Sequence, residues 1–190
     1  MGKTKLIEIK ERVKTSYLNF YTLIYENRLG HRKEYEMVSK QQITKKEELA
    51  GRTNGVSMVV YYKNKLLFLK EFRMAVNQYI YNLPAGTLED GEEIEDCVRR
   101  ELFEETGLLV KKMIDVLPAA YGAIDVSNAK AALVFLEAEG EISTEHLTED
   151  EELIPETFTR NELKKMLQSE SFSGRAQMAA WYFIHSRIEG

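Results

Sequence analysis

One stretch of the chain, residues 86–108, constrains its fold more than any other. It reads GTLEDGEEIEDCVRRELFEETGL. At fixed spacing it carries more charged residues than a solvated helix would need. Asp90 and Glu93 have the spacing of a capping box, and Gly107 is a typical helix stop. These signals predict a helix over about residues 92–105.

The predicted helix places acidic side chains on the face that should be buried. At about 100° per residue, one sector of the helix holds the apolar residues Ile94, Cys97, Val98 and Leu102. Glu101 and Glu105 fall inside this sector, and Glu104 lies at its edge. The carboxyl end of a helix is already negative, so acidic groups there cost roughly 0.3–1 kcal/mol each. Three unpaired carboxylates in this position therefore require a cation.

The chemistry of these side chains favours a hard divalent ion. They offer only carboxylate oxygens, with no histidine and no second cysteine nearby, so Mg²⁺, Mn²⁺ or Ca²⁺ is favoured over zinc or copper. Arg100 lies beside the cluster, and its guanidinium can fork onto a carboxylate such as Glu92. This predicts that Arg100 orients other groups and does not react. The alternative is an ordinary acidic helix with ion pairs between successive turns.

The spacing of these residues resembles the Nudix box. Gly86 is followed after five residues by Glu92, and after seven more by residues 100–108, RELFEETGL. The resemblance implies an α+β fold, an α/β/α sandwich around a mixed sheet. It also implies Mg²⁺-dependent hydrolysis, with Mn²⁺ possible, of a nucleoside diphosphate linked to another moiety X.

The same resemblance assigns roles within the box. It implies that Glu101, Glu104 and Glu105 hold the metal ions. Glu104, Glu105 and Arg100 are accordingly the predicted catalytic residues of the helix. Water would attack phosphorus directly, so no covalent intermediate is needed, and the protein would contribute positioning and charge stabilisation.

The segment that enters the box narrows the resemblance. Arg73 ends a predicted strand and residues 83–86 are LPAG; both features resemble the ADP-ribose and nucleotide-sugar pyrophosphatases. This likeness implies that Arg73 binds the substrate phosphates, for which a planar guanidinium is well shaped. It further implies that the Ala85 carbonyl is a metal ligand. An ion pair between Arg73 and Glu71 is the alternative.

Two positions depart from the pattern of that subfamily. Asn82 stands where its members often have Glu, which leaves the number of metal ions open. Residues 120–122 are AYG where ADP-ribose hydrolases commonly have a Ser-Pro-Gly turn. This second departure weakens the assignment to ADP-ribose but not to nucleotide sugars in general.

The chain before the box predicts an N-terminal β extension, residues 1–50, ahead of a Nudix hydrolase domain, residues 51–190. Strand-like alternation and a turn predict a small antiparallel unit over residues 6–9, 17–25 and 33–38, and the polar residues 40–55 predict a linker. Its many aromatic side chains either pack on the main domain or form a homodimer interface. In the second case Tyr21 and Phe20 are candidates to stack on a substrate base.

The rest of the chain predicts further strands and two more helices. The predicted strands are residues 56–62, 66–72, 108–116, 131–138 and 153–158, the first two joined by a hairpin and the third and fourth buried. Thr159 and Glu162 form a capping box that opens a helix to about residue 168. A last helix is predicted from about residue 174 to 187. Its predicted core residues are Met178, Trp181, Tyr182, Ile184 and Ile188.

Residues 141–152 are an acidic segment, EISTEHLTEDEE. Such charge runs are usually solvated. In the enzymes that the chain resembles, a glutamate in this loop swings over the metals and orients or deprotonates the attacking water. The resemblance makes Glu149 or Glu151 the candidate and does not separate the two.

Composition limits the partners and the compartment. With 190 residues and a formal net charge of −5, the chain shows no basic stripe for nucleic acid, and no apolar run approaches the ~20 residues of a membrane span. The N-terminus lacks a signal-peptide centre, so we expect a cytoplasmic protein with a small-molecule nucleotide substrate. Cys97 is expected to pack as a small hydrophobe. Two other functions stay open: hydrolysis of nucleoside triphosphates or other diphosphates, and non-catalytic nucleotide sensing.

Overall fold

The structure is a computed structural model and describes residues 3–149 and 152–186. The chain divides into two compact units. One contains the described residues of Met1–Asn54 together with Ala119–Ala131, and the other contains those of Gly55–Pro118 and Ala132–Gly190.

The first unit contains a three-stranded antiparallel sheet. Its strands are β1 (Lys5–Lys14), β2 (Asn19–Glu26) and β3 (Arg32–Ser39), with β2 in the middle. The Asn27 side chain closes the turn between β2 and β3 by accepting bonds from the backbone N–H groups of Leu29 and His31. The predicted small antiparallel unit is confirmed.

The remaining strands form a seven-stranded sheet. They are β4 (Thr53–Tyr62), β5 (Lys65–Arg73), β6 (Gln78–Asn82), β7 (Ala85–Thr87), β8 (Leu109–Tyr121), β9 (Lys130–Glu139) and β10 (Leu153–Phe158). The order is β10-β5-β4-β9-β8, with β6 paired to β5 and β7 paired to β4. The helices are α1 (Ile94–Thr106), α2 (Arg160–Ser169) and α3 (Gly174–His185).

Helices cover both faces of this sheet. Val56, Met58 and Val60 of β4 pack in one core with α1, whereas Val59 of the same strand packs in another core with α2 and α3. Because successive side chains of a strand point to opposite faces, the alternation buries both sides. The architecture is an α/β/α sandwich, and the predicted α+β fold with a mixed sheet is confirmed.

Three predictions along the chain need correction. The segment predicted as a linker, residues 40–55, contains a short 3-10 helix (Lys46–Ala50) and the start of β4. Strand β8 continues to Tyr121, through residues predicted as a loop. It was also predicted to be buried, yet most of its residues are exposed. As the last strand in the sheet order, it has one neighbouring strand among the residues that the structure describes.

Helix α3 buries a different face from the one predicted. Ala176, Ala180 and Phe183 face the core, while Met178, Trp181 and Tyr182 are 75%, 57% and 56% exposed. The prediction favoured the large side chains. Ala176, Ala180 and Phe183 recur at intervals of four and three residues, so they form one face of the helix, and most of the predicted side chains lie on another. Ile184 is partly buried against this core, and Ile188 lies outside the described residues.

A matched pair of α3 variants tests this assignment. Phe183→Ala is expected to lower the free energy of unfolding by about 3–5 kcal/mol, because it opens a cavity in the core. Trp181→Ala should cost less than about 1 kcal/mol, because that ring is largely solvated. Urea denaturation measures both. Equal losses for the two variants would contradict the observed face.

Candidate active site

Helix α1 begins and ends at defined places. Its N-cap is Glu93, whose side chain makes no capping hydrogen bond, so the predicted capping box with Asp90 is wrong. The Glu92 carboxylate instead accepts a bond from the backbone N–H of Glu89, at 2.9 Å. At the other end Gly107 has a φ of 71° and its N–H bonds to the Phe103 carbonyl, so the predicted stop is confirmed.

The buried face of α1 carries one of the predicted carboxylates into the interior. Cys97, Val98 and Leu102 are fully buried. Glu105 lies among them, only 7% exposed, and its Oε2 accepts a hydrogen bond from the backbone N–H of Ala85 at 3.1 Å. A buried carboxylate needs a partner to offset its desolvation, and the start of β7 supplies one. Burial raises the pKa of the Cys97 thiol to about 12, as expected for a packed side chain.

Strand β7 approaches α1 so closely that a side chain of the helix fills the space beside its glycine, Gly86. A Cβ on Gly86 would lie 1.9 Å from Cδ of Glu101, so the Glu101 side chain occupies the space that any other residue would fill. Burial raises the pKa of Glu101, and the hydrogen bond from Arg100 opposes this rise. The site thus holds a second, largely buried carboxylate against the backbone of β7.

A further glycine, which no predicted motif includes, allows β7 to pair closely with β4. Gly55 of β4 lies in register with Thr87 of β7, and a Cβ there would meet the Gly86 carbonyl oxygen at 2.0 Å. The available signal was a glycine at the head of an apolar strand, which often marks a place where another backbone comes close.

Arg100 links the carboxylates of the site. Its Nε and Nη2 bond to the two oxygens of Glu92 at 2.8 and 2.9 Å, so the predicted fork is present. Its Nη1 bonds to Glu101 at 2.8 Å and to Glu104 at 3.1 Å. These contacts hold the pKa of Glu92 down to about 2 and raise that of Arg100. The prediction that the cluster is unpaired is therefore wrong for Glu101 and Glu104.

The donor set fits a hard divalent cation, although Arg100 engages two of its carboxylates, those of Glu101 and Glu104. Within residues 3–149 and 152–186, no group of three acidic, histidine or cysteine side chains is gathered closely enough to hold an ion. The Arg100 guanidinium takes one oxygen each from Glu101 and Glu104, while Glu105 accepts from the Ala85 N–H. Glu104 has a side chain 46% exposed and is able to turn away. The role of Glu101, Glu104, Glu105 and the Ala85 carbonyl as metal ligands stays a prediction.

Arg73 lies at the end of β5 with its side chain 55% exposed. Its Nη1 is 3.6 Å from Oε2 of Glu71, so the ion pair that formed the alternative prediction is present. The other oxygen of Glu71 accepts a hydrogen bond from Nδ2 of Asn82 at 2.7 Å. This contact joins Glu71 and Asn82 across the neighbouring strands β5 and β6, and no sequence pattern predicts it.

The two aromatic candidates of the first unit differ in exposure. The Tyr21 ring is 1% exposed and its hydroxyl accepts a hydrogen bond from the backbone N–H of Ile43 at 2.8 Å. Tyr21 therefore packs in the core of this unit and offers no open ring for stacking. Phe20, next to it on the strand, is 40% exposed.

The acidic loop is attached to the carboxyl end of α1. The Ser143 N–H bonds to the Thr106 carbonyl at 2.9 Å, and the His146 ring lies 4.3 Å from the ring of Phe103. Glu149 follows these anchors and is exposed, while Glu151 lies outside the described residues.

Across residues 3–149 and 152–186, no helix combines the length and apolar character that crossing a bilayer requires.

Comparison with known proteins adds independent findings. The NUDIX domain profile matches residues 51–182. The chain is 28% identical over 144 residues to an ADP-ribose pyrophosphatase of Saccharomyces cerevisiae, covering 71% of this chain and 60% of that protein. It is 38% identical over 72 residues to an ADP-ribose pyrophosphatase of Bacillus subtilis, covering 37% of this chain and 39% of that protein. The chain thus matches less than two thirds of the length of each.

A solved structure shows the same fold. The crystal structure of an ADP compounds hydrolase superposes with a TM-score of 0.75 over 97% of this chain and 93% of that one. The sequences are 18% identical, so this likeness concerns the architecture alone.

Proposed function

The chain belongs to the NUDIX domain family, and from this membership we propose that it hydrolyses the pyrophosphate bond of a nucleoside diphosphate linked to a second moiety. ADP-ribose or a nucleotide sugar is the proposed substrate, and the products are a nucleoside monophosphate and the phosphorylated second moiety. The proposed cofactor is Mg²⁺, with Mn²⁺ as the alternative. Residues 51–190 are the proposed catalytic domain.

The observation that carries this proposal is the placement of carboxylates on one helix against one short strand. Glu105 is buried and bonded to Ala85, and Glu101 fills the space left by Gly86. A helix serving only as structure has no need of two carboxylates on its covered side, because each loses hydration there. Hard oxygen donors on one side of a helix, next to a backbone strand, suit a divalent ion that binds phosphate.

Each residue has a proposed task. A bound divalent ion would lower the pKa of a water ligand and neutralise charge on the phosphoryl group. The ion would be held by Glu101, Glu104, Glu105 and the Ala85 carbonyl. Arg100, itself anchored on Glu92, would orient the carboxylates. Arg73 would bind the diphosphate with a planar guanidinium. Glu149 or Glu151 would orient or deprotonate the attacking water.

The relatives support the choice of substrate, since both pyrophosphatases described above are named for ADP-ribose.

We further propose a homodimer formed through residues 1–50, where Val13, Tyr17 and Phe20 are 53%, 86% and 40% exposed. Val13 lies directly opposite Phe20 in the pairing of β1 with β2, and contiguous exposed apolar groups mark interaction surfaces. Phe20 remains the candidate to stack on a base. We also propose a cytoplasmic location. Sedimentation of the purified protein tests the homodimer, and cell fractionation tests the location.

A substrate panel tests the proposed reaction. The protein is incubated with Mg²⁺ and ADP-ribose, sugar nucleotides or nucleoside triphosphates, with EDTA added to a parallel set, and the products are separated by chromatography. We expect AMP and ribose 5-phosphate from ADP-ribose, or the matching pair from a sugar nucleotide, and no product with EDTA. Pyrophosphate released from a triphosphate would favour the triphosphate alternative. Absence of turnover with every compound would contradict hydrolysis and favour nucleotide sensing.

A further inference from the structure

Four side chains of the second unit form a continuous series of polar contacts that ends at Arg73. The Ser173 hydroxyl donates to Oδ1 of Asn82 at 2.6 Å, and Nδ2 of Asn82 donates to Oε1 of Glu71 at 2.7 Å. The other oxygen of Glu71 lies 3.6 Å from Nη1 of Arg73. The two amide atoms of Asn82 thus serve two different partners.

This series of contacts is fixed at the end away from Arg73, at Ser173. Ser173 is the N-cap of α3, where its side chain accepts a bond from the Ala176 N–H, and its own N–H donates to the Tyr81 carbonyl at 2.9 Å. Ser173 is therefore tied to both the helix and strand β6. Its hydroxyl proton is directed at Asn82, which sets the amide so that its NH₂ group faces Glu71.

The chemistry explains why an amide, not an acid, stands at position 82. The Glu71 side chain is only 15% exposed, so its charge needs partners. A carboxylate at position 82 would face that of Glu71 and repel it, whereas the Asn82 amide donates to it. The acid at this place in the sheet is supplied by β5, and β6 supplies its donor.

We infer that Asn82 and Ser173 are positioning residues that hold the Glu71 carboxylate at the end of β5, and that Glu71 in turn directs the Arg73 guanidinium toward the substrate diphosphate. The inference rests on the proposed function, in which Arg73 binds these phosphates. A long exposed arginine loses rotamer freedom when it binds. With Glu71 engaging one Nη, part of that ordering precedes substrate binding, which favours affinity.

Steady-state kinetics of Asn82→Asp tests the inference. This variant keeps the shape of the side chain but replaces the donor facing Glu71 with a second charge. We expect kcat/KM for the best substrate of the panel to fall about tenfold, mainly through KM. In an Arg73→Ala background the same change should have less than about a twofold effect, because the group it acts through is gone. Tyr81→Phe, which removes a different hydroxyl contact of β6, at 3.2 Å from Glu156, is the control and should leave kcat/KM unchanged.

An exchange variant separates positioning from simple stability. Glu71→Gln with Asn82→Asp restores one donor and one acceptor between the strands but moves the acid away from Arg73. Asn82→Asp alone should lower the melting temperature, because it sets two carboxylates against each other. In the exchange variant we expect the melting temperature to return close to that of the wild type while kcat/KM stays about tenfold reduced. Recovery of kcat/KM along with the melting temperature, or additive effects of Asn82→Asp and Arg73→Ala, would overturn the inference and leave the proposed function standing. Absence of wild-type turnover across the panel would overturn both.

Discussion

Replacing Glu105 with Gln is expected to lower kcat/KM by about two to three orders of magnitude while the fold persists. The two side chains have nearly the same shape, and the Gln oxygen is still able to accept the bond that the Ala85 N–H donates to Glu105 at 3.1 Å. What disappears is the negative charge, which a divalent ion needs and a buried hydrogen bond does not. Assays with Mg²⁺ measure the loss, and circular dichroism and thermal melting check the fold.

Glu95→Gln is the matched control on the same helix. Glu95 lies on the exposed side of α1 and pairs with Arg99 at 2.6 Å, one turn away. Exposed pairs of this kind are worth a fraction of a kcal/mol, so activity and melting temperature should both stay close to those of the wild type. If Glu105→Gln retained wild-type activity, the metal assignment on α1 would fail. If both variants lost activity equally, the effect would be one of helix charge and not of the site.

The sequence predicts those parts of the site that depend on spacing along one helix. The angular position of Glu105 follows from its separation from Leu102 and Val98, and the stop at Gly107 follows from its left-handed backbone. These are local properties, set within one or two turns. The same logic failed on α3, because Trp181 and Phe183 are both large and apolar, and which of the two is covered depends on the side of the helix that meets the rest of the fold.

Contacts between distant segments do not follow from spacing along the chain. The spacing rule foresaw the fork of Arg100 on Glu92 but treated Glu101 and Glu104 as unpaired, since it could not show how the guanidinium divides its donors. Asn82 was predicted only as a missing acid, because its partnership with Glu71 depends on the pairing of β5 with β6. In each case the packing of segments in the folded protein decides which polar groups come into contact.

Gly86→Ala is expected to lower kcat/KM by about a hundredfold with only a small loss of stability. The new methyl group would lie 1.9 Å from Cδ and 2.0 Å from Cγ of Glu101, and neither atom belongs to the backbone. A flexible side chain is able to move aside at little cost, so the strain is relieved by displacing the Glu101 carboxylate from the site. The effect should therefore appear in activity and metal affinity and much less in the melting temperature.

The double variant Gly86→Ala with Glu101→Ala decides whether this explanation is correct. If the glycine matters because it leaves room for the Glu101 carboxylate, the second change removes the atoms that clash, and the double variant should be no less active than Glu101→Ala alone. Kinetics and calorimetric titration with Mg²⁺ on all three variants measure this coupling. If the losses of the two single variants instead added up, the methyl group would be disturbing strand β7 itself, most directly its pairing with β4 at Val56. The need for glycine would then lie in the backbone and not in the carboxylate.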